Sequence, residues 1–372
     1  MATFSPKLFI TTFLAILASR INGKIINVPP HPSEQPTKAE MTLRPDSLDA
    51  PKLDHVEDQF YEWWYFDVIS DKDGQYTSLD VVFYTSTTTG FDILGPSVPL
   101  ANPSVDLIQV TVGFANGSVY NAYLNGSQAT FIMHGDGVTG IYPSPRAMFN
   151  TASDLSSASV VLNAPEVGFE GVLHLTSTAP PHGPCDAAHP GISLELMPHV
   201  GWVNAFPDAI ARASITVNGE QLVIEGRGYH DKNWGDRAFS KSLDTWYWGH
   251  ATLGDYSIVF FDTLDYAGVG RSSSYVAKDG KILVSQCKGV VARPFGNGAT
   301  YPPRMMDPEP LGLHLTIDTP DGHINATLTK VHTVLGLGLG PYHRWLDKIA
   351  GTVGGGEELY GLASFEQFAF SS

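Results

Sequence analysis

The chain has 372 residues, room for two compact domains at roughly 100–200 residues each, and its 43% hydrophobic content, with 19 Phe, 15 Tyr and 7 Trp, excludes a disordered polymer. Acidic residues outnumber basic ones 38 to 22, and the resulting charge of −16, with no concentrated basic stripe, excludes nucleic acid and anionic membrane surfaces as partners. Neutral or apolar small molecules remain the natural ligands.

Residues 1–23 read as a secretory signal: Lys7 opens it, and Leu8 to Ala18 form an apolar run of 11 residues, too short to span a bilayer, which needs about 20. Cleavage is expected between Ala18 and Lys24, with the mature protein secreted or in the lumen of the secretory pathway. Residues 24–58 read as an extended Pro-rich arm, and structured chain is expected from about Gln59. From there, short runs with period-two alternation are separated by six Asn-Gly or Asp-Gly pairs: Asp73-Gly74, Asn116-Gly117, Asn125-Gly126, Asn218-Gly219, Asp279-Gly280 and Asp321-Gly322. Such pairs favour hairpin turns, so the fold class is all-β and antiparallel. Three sequons, at Asn116, Asn125 and Asn325, are candidate glycosylation sites. Residues 150–210 hold the least regular stretch and read as a long covering loop. Cys185 and Cys287 are the only cysteines; an oxidising compartment allows one bridge, and the spacing leaves bonded and unpaired states both open. The segment Tyr342 to Ala350 reads as the one helix, with Trp345, Leu346 and Ile349 on one face and glycines after it.

Several chemistries lack their usual supports. The G-x-G-x-x-G match at Gly135 to Gly140 is followed by Pro143 and Pro145, which forbid the helix that would hold a pyrophosphate. No H-E-x-x-H, C-x-x-C, G-x-S-x-G or P-loop pattern occurs, so no cofactor and no metal are expected.

Three segments concentrate aromatic and polar groups. In Tyr61-Glu62-Trp63-Trp64-Tyr65-Phe66-Asp67, alternation places Glu62, Trp64 and Phe66 on one face and Trp63, Tyr65 and Asp67 on the other. The second is Gly226-Arg227-Gly228-Tyr229-His230-Asp231-Lys232-Asn233-Trp234-Gly235-Asp236, and the third Trp246-Tyr247-Trp248-Gly249-His250. The bland reading has the Trp and Tyr filling a barrel core while Glu62, His230 and Asp231 hydrogen-bond internally. There is also a faint echo between Trp63-Trp64-Tyr65 leading to Val82-Phe83-Tyr84 and Trp246-Tyr247-Trp248 leading to Val259-Phe260-Phe261. Two related halves or coincidence would explain it equally.

In combination and order, these three motifs resemble the two-domain lipocalin-like family that includes bacterial carotenoid 1,2-hydratases and the fungal Diels–Alderases of natural-product clusters. The similarity covers roughly residues 55–370. It implies a β-sandwich-like N-terminal domain (59–236), a lipocalin-like C-terminal barrel (237–372) and an apolar pocket between them. Lys232 stands where the hydratase branch carries a second His, which argues against polyene hydration. The leader and sequons lean the expectation towards an intermolecular hetero-Diels–Alder reaction between a tropolone quinone methide and a terpene olefin. Decalin-forming cyclisation, a hydratase or lyase, and a non-catalytic carrier are the alternatives. Partners are apolar small molecules, without nucleic acid or a membrane span, and a homodimer is allowed.

Such a site needs aromatic walls that orient reactants and exclude water, for which Trp63, Trp64, Trp234, Trp246, Trp248 and His250 are the candidates. Tyr65, His230, Asn233 and Trp248 are candidate donors to a developing oxyanion. Asp67, Asp231 and Asp262 are candidate acids, since desolvation in an aromatic pocket favours the neutral carboxyl.

Overall fold

Each of the six Asn-Gly and Asp-Gly pairs falls where one strand gives way to the next. At Asn218-Gly219 both residues have positive φ, 51° and 87°, as do Asp279-Gly280 at 50° and 71°. This mirror-image turn follows the twist of the flanking strands, and glycine adopts its second position without strain. The computed structural model describes residues 23–94, 98, 100, 102–336 and 340–371; the leader expected over residues 1–23 lies outside them except for Gly23.

The described residues form two antiparallel sheets of 13 and nine strands. The first runs in the order Ile25–Val28, Ala129–His134, Gly137–Tyr142, Ala147–Thr151, Ser157–Ala164, Phe169–Ser177, Val200–Val217, Glu220–Gly235, Tyr61–Ser70, Thr77–Ser86, Asp106–Gly113 and Val119–Asn125, with Glu195–Met197 added beside Val200–Val217. The second runs Lys281–Gln286, Gly270–Lys278, Tyr256–Leu264, Thr245–Leu253, Leu359–Ala369, Tyr342–Val353, Gly322–Gly336, Gly312–Thr319 and Val290–Phe295. The sheets part between Gly235 and Thr245, where the short α-helix Phe239–Ser242 makes the crossing. The fold is all-β and lipocalin-like.

Three expectations are corrected. Tyr342–Val353 is a strand, not a helix, paired on both sides with Gly322–Gly336 and Leu359–Ala369. Its Leu, Lys and Ala suit a helix locally, but two ladders of hydrogen bonds and burial of both its faces from Tyr342 to Asp347 outweigh that preference. The covering loop shrinks to residues 178–194, because Ser157–Ala164, Phe169–Ser177 and the start of Val200–Val217 fill most of 150–210. The Pro-rich arm is packed chain: it adds the strand Ile25–Val28 and buries Leu43, Leu48 and Val56 in the core of the first sheet.

The loop straps the sheets together. Tyr275 Oη donates to the carbonyl of Pro180 at 2.8 Å, and Cys185 is disulfide-bonded to Cys287 of the second sheet's segment. Asn116, Asn125 and Asn325 are all exposed. The internal echo resolves into two hairpins, Tyr61–Ser70 with Thr77–Ser86 and Thr245–Leu253 with Tyr256–Leu264, one in each sheet.

Candidate active site

Alternation along Tyr61–Ser70 and Glu220–Gly235 sorts their side chains onto two faces, and strand register aligns the inner ones into rows. Tyr84, Trp63 and Asn233 form one row; Gln109, Val82, Tyr65 and Asp231 the next; Thr111, Asp80, Asp67 and Tyr229 the third. The second sheet answers with Trp246, Phe368 and Tyr342 in one row and Trp248, Glu366 and Arg344 in another. Between these faces lies a cleft enclosing about 710 Å³ of atom-free space, part of it open to solvent.

Arg344 organises the polar end. Its Nη2 donates to Glu366 Oε2 at 2.9 Å, and Nη1 lies 3.5 Å from Asp80 Oδ2. The guanidinium carbon sits 4.4 Å from the centroid of the Tyr65 ring. Glu366 also accepts Tyr342 Oη–H at 2.8 Å and Trp246 Nε1–H at 3.2 Å. Asp80 stands directly opposite Asp67 on the neighbouring strand, and Tyr65 Oη lies 2.7 Å from Asp67 Oδ2 and 3.1 Å from Asp80 Oδ1. Burial, opposed by Arg344, pushes the Asp80 carboxyl up to about 6. Arg344→Leu should cost about 3–5 kcal/mol, because it leaves Glu366 charged and buried without its cation. Adding Glu366→Gln, which keeps an acceptor for Tyr342 and Trp246, should restore much of that loss in urea denaturation; additive losses would show the two groups uncoupled.

Asp231 is the third acid lining the cleft, with Asp80 and Glu366. It is 4% exposed, and burial pushes its carboxyl up to about 7, against the donations from Trp202 and Tyr229. Trp202 Nε1–H and Tyr229 Oη–H both reach Oδ2, each at 2.8 Å. A proton on this acid therefore resides on Oδ1. Asn233, two residues along the same face, lines the cleft at 3% exposure with its Nδ2 unpartnered within the protein.

The structure thus gathers Trp63, Tyr65, Asp231, Asn233, Trp246 and Trp248 around one cleft. Asp67 and His250 lie just beneath it, joined by His250 Nε2–H donating to Asp67 Oδ2 at 2.7 Å; His250 stacks on Tyr229, 4.5 Å between centroids. The other candidates face elsewhere. His230, Trp64 and Trp234 project from the opposite face of the first sheet, the consequence of alternation along their strands. His230 stacks on Phe66 at 3.9 Å, and its ring nitrogens meet the Tyr65 carbonyl and Asp49. Trp64 and Trp234 donate to the carbonyls of Asp49 and Glu40 in the packed arm. Asp262 is an anchor in the second sheet, accepting Arg293 Nη1 at 2.7 Å and Tyr301 Oη at 2.9 Å. Lys232 is also behind the sheet, 2.5 Å from Glu62, so its identity says nothing about chemistry in the cleft.

Sequence reasoning missed Arg344, Glu366, Asp80, Tyr84, Gln109 and Tyr342. The signal for two of them was the period-two pairing of Tyr342 with Arg344, which a helical reading of that segment erases.

The family profile of Diels-Alderase-like proteins matches residues 31–293. The chain is 30% identical over 98% of both chains to the quinolone epoxide rearrangement protein asqO of Emericella nidulans. It is 32% identical to the quinolone epoxide rearrangement protein penF of Penicillium thymicola, covering 89% of this chain and 91% of that one. The Diels-Alderase ucsH of Acremonium is 25% identical over 64% of this chain and 59% of its own. Among solved structures, CghA with Sch210972 superposes with a TM-score of 0.76 at 18% identity, covering 94% of this chain and 99% of that one.

Proposed function

The chain belongs to the Diels-Alderase-like family of cycloaddition and rearrangement enzymes, and from that premise we propose that it rearranges an epoxide carried by a quinolone-class substrate. The observation that carries this reading is Asp231, a carboxyl held up to about 7 inside an aromatic cleft. About half protonated at pH 7 and mostly neutral below it, it can deliver a proton to an epoxide oxygen. The carbon–oxygen bond then breaks, leaving positive charge on carbon against the ring faces of Trp246 and Trp248, which stabilise it and keep water away. A neighbouring substituent migrates with its electron pair from the carbon that keeps the oxygen, and that carbon becomes a protonated carbonyl. Its proton returns to Asp231. Substrate and product are isomers, and no redox step is involved. The names of the relatives asqO and penF support the substrate class.

The disulfide and the exposed sequons favour passage through the secretory pathway, and with it a second reading, the hetero-Diels–Alder joining of a tropolone quinone methide and a terpene olefin. Product mass separates the two. Purified enzyme should convert a quinolone epoxide to a product of unchanged mass, faster than buffer does. A product of a hydroxymethyl tropolone and an olefin with the summed mass less one water would establish the second reading, and addition of one water would establish a hydratase. For the secretory route, intact mass from a fungal host should show a start between Ser19 and Ile25 and sugar on at least one of Asn116, Asn125 and Asn325. A sugar-free protein retaining Met1 would overturn it.

A further inference from the structure

The polar side chains lining the cleft are mostly committed to one another. Tyr65 reaches Asp67 and Asp80, Tyr84 donates to Gln109, and Tyr342 and Trp246 donate to Glu366. Asn233 differs. It is 3% exposed, and its Nδ2 has no acceptor in the protein. Leaving such a donor buried and unmet costs about 1–3 kcal/mol, a cost that an apolar residue of similar size would avoid. Backbone pairing fixes where it points, because Asn233 lies opposite Trp63 and Trp202 on the strands either side, and Trp63 shares its face of the cleft. It also sits two residues from Asp231 on that face, about 7 Å along the strand.

We propose that Asn233 selects the substrate by donating its amide N–H to a ring carbonyl oxygen, setting the reactive carbon–oxygen bond beneath Asp231. This rests on reading the cleft as the reaction site and adds a requirement: the substrate carries a carbonyl acceptor one strand-pair step from the oxygen that is protonated. A neutral amide suits a carbonyl. It neither displaces the Arg344–Glu366 pair nor brings a second charge beside Asp231.

The test is a binding comparison that needs no turnover. The probes are 3,4-dihydro-2-quinolone and 1,2,3,4-tetrahydroquinoline, which differ only by a carbonyl in place of a methylene, titrated against the full chain by quenching of tryptophan fluorescence. The wild type should bind the carbonyl compound at least tenfold more tightly. Asn233→Leu should reduce that preference below threefold while leaving the affinity for tetrahydroquinoline unchanged. Asn233→Val, smaller and also without a donor, should do the same and guards against a Leu variant that fails to fold. Equal binding of the probes by the wild type, or a preference retained by the folded Val variant, overturns the proposal. If the preference is Asn233-dependent but no quinolone epoxide is turned over, the carbonyl contact stands and the epoxide reading falls.

Discussion

Asp231→Asn should lower turnover of the epoxide by about 10²–10⁴-fold, the usual worth of a general acid, while making the folded protein more stable. Asparagine keeps an acceptor for Trp202 Nε1–H and Tyr229 Oη–H, so packing survives, but it has no proton to give. The stability effect has a definite sign. Burial raises the carboxyl from an unfolded value near 3.8 to about 7 in the folded state, so between those values the folded chain binds a proton that the unfolded chain has lost. Wild-type stability therefore falls as pH rises across that interval and levels off above about 7. The advantage of the Asn variant should grow over the same interval by a few kcal/mol and then stay constant. Activity should follow the same group: kcat/KM of the wild type should fall tenfold per unit above about 7 as Asp231 ionises. Below about 6, protonation of Asp80 weakens its hold on Arg344 and activity should decline again. Denaturation and rate profiles on one protein preparation check both. An Asn variant that is stabilised and still fully active would remove Asp231 from the chemistry.

The parts of the molecule legible in the sequence were those governed by local rules. Turn chemistry at Asn218-Gly219 and Asp279-Gly280 located hairpins, and alternation in Tyr61 to Asp67 assigned Trp63 and Tyr65 to a different face from Trp64 and Phe66, as the structure has it. The same alternation, applied to Tyr229 through Trp234, separates Asp231 and Asn233 from His230 and Trp234. What alternation alone does not reveal is which face meets a cleft and which meets packed chain. The arm decides this: Asp49, Ala50 and Glu40 supply the acceptors that occupy His230, Lys232 and Trp234. Its prolines and lack of apolar period concealed that role.

Arg344 and Glu366 illustrate a different limit. Their strands lie in the second sheet, and the Asp80 carboxylate that faces Arg344 comes from the first. Nothing local links residues so far apart in the chain. The cleft is a product of sheet-on-sheet packing, assembled by long-range register rather than by any motif.

Trp64, behind the first sheet, and Trp248, on the second sheet and facing the cleft, provide the sharpest separation of structure from chemistry. Trp64 is fully buried, stacked on Phe131 with centroids 4.7 Å apart. Trp64→Ala should cost about 3–5 kcal/mol in denaturation, through lost burial and the cavity it leaves, with the product ratio per folded molecule unchanged. Trp248 instead lines the cleft, its ring edge-on to Tyr65 and Tyr229 at 5.7 and 5.2 Å. Trp248→Ala removes a ring face from beside the developing cation and opens the space to water, so rearrangement should slow by roughly tenfold or more, a cation–π contact in a dry site being worth about 2 kcal/mol. Water should then capture the cation, and a diol, heavier than the substrate by one water, should accumulate at the expense of the isomer. The measurement is the diol-to-isomer ratio and the single-turnover rate for both variants, normalised to folded protein. A Trp248→Ala enzyme that folds and yields only the isomer would show that the wall does not shield a cation, and the acid-opening route through Asp231 would lose its second support.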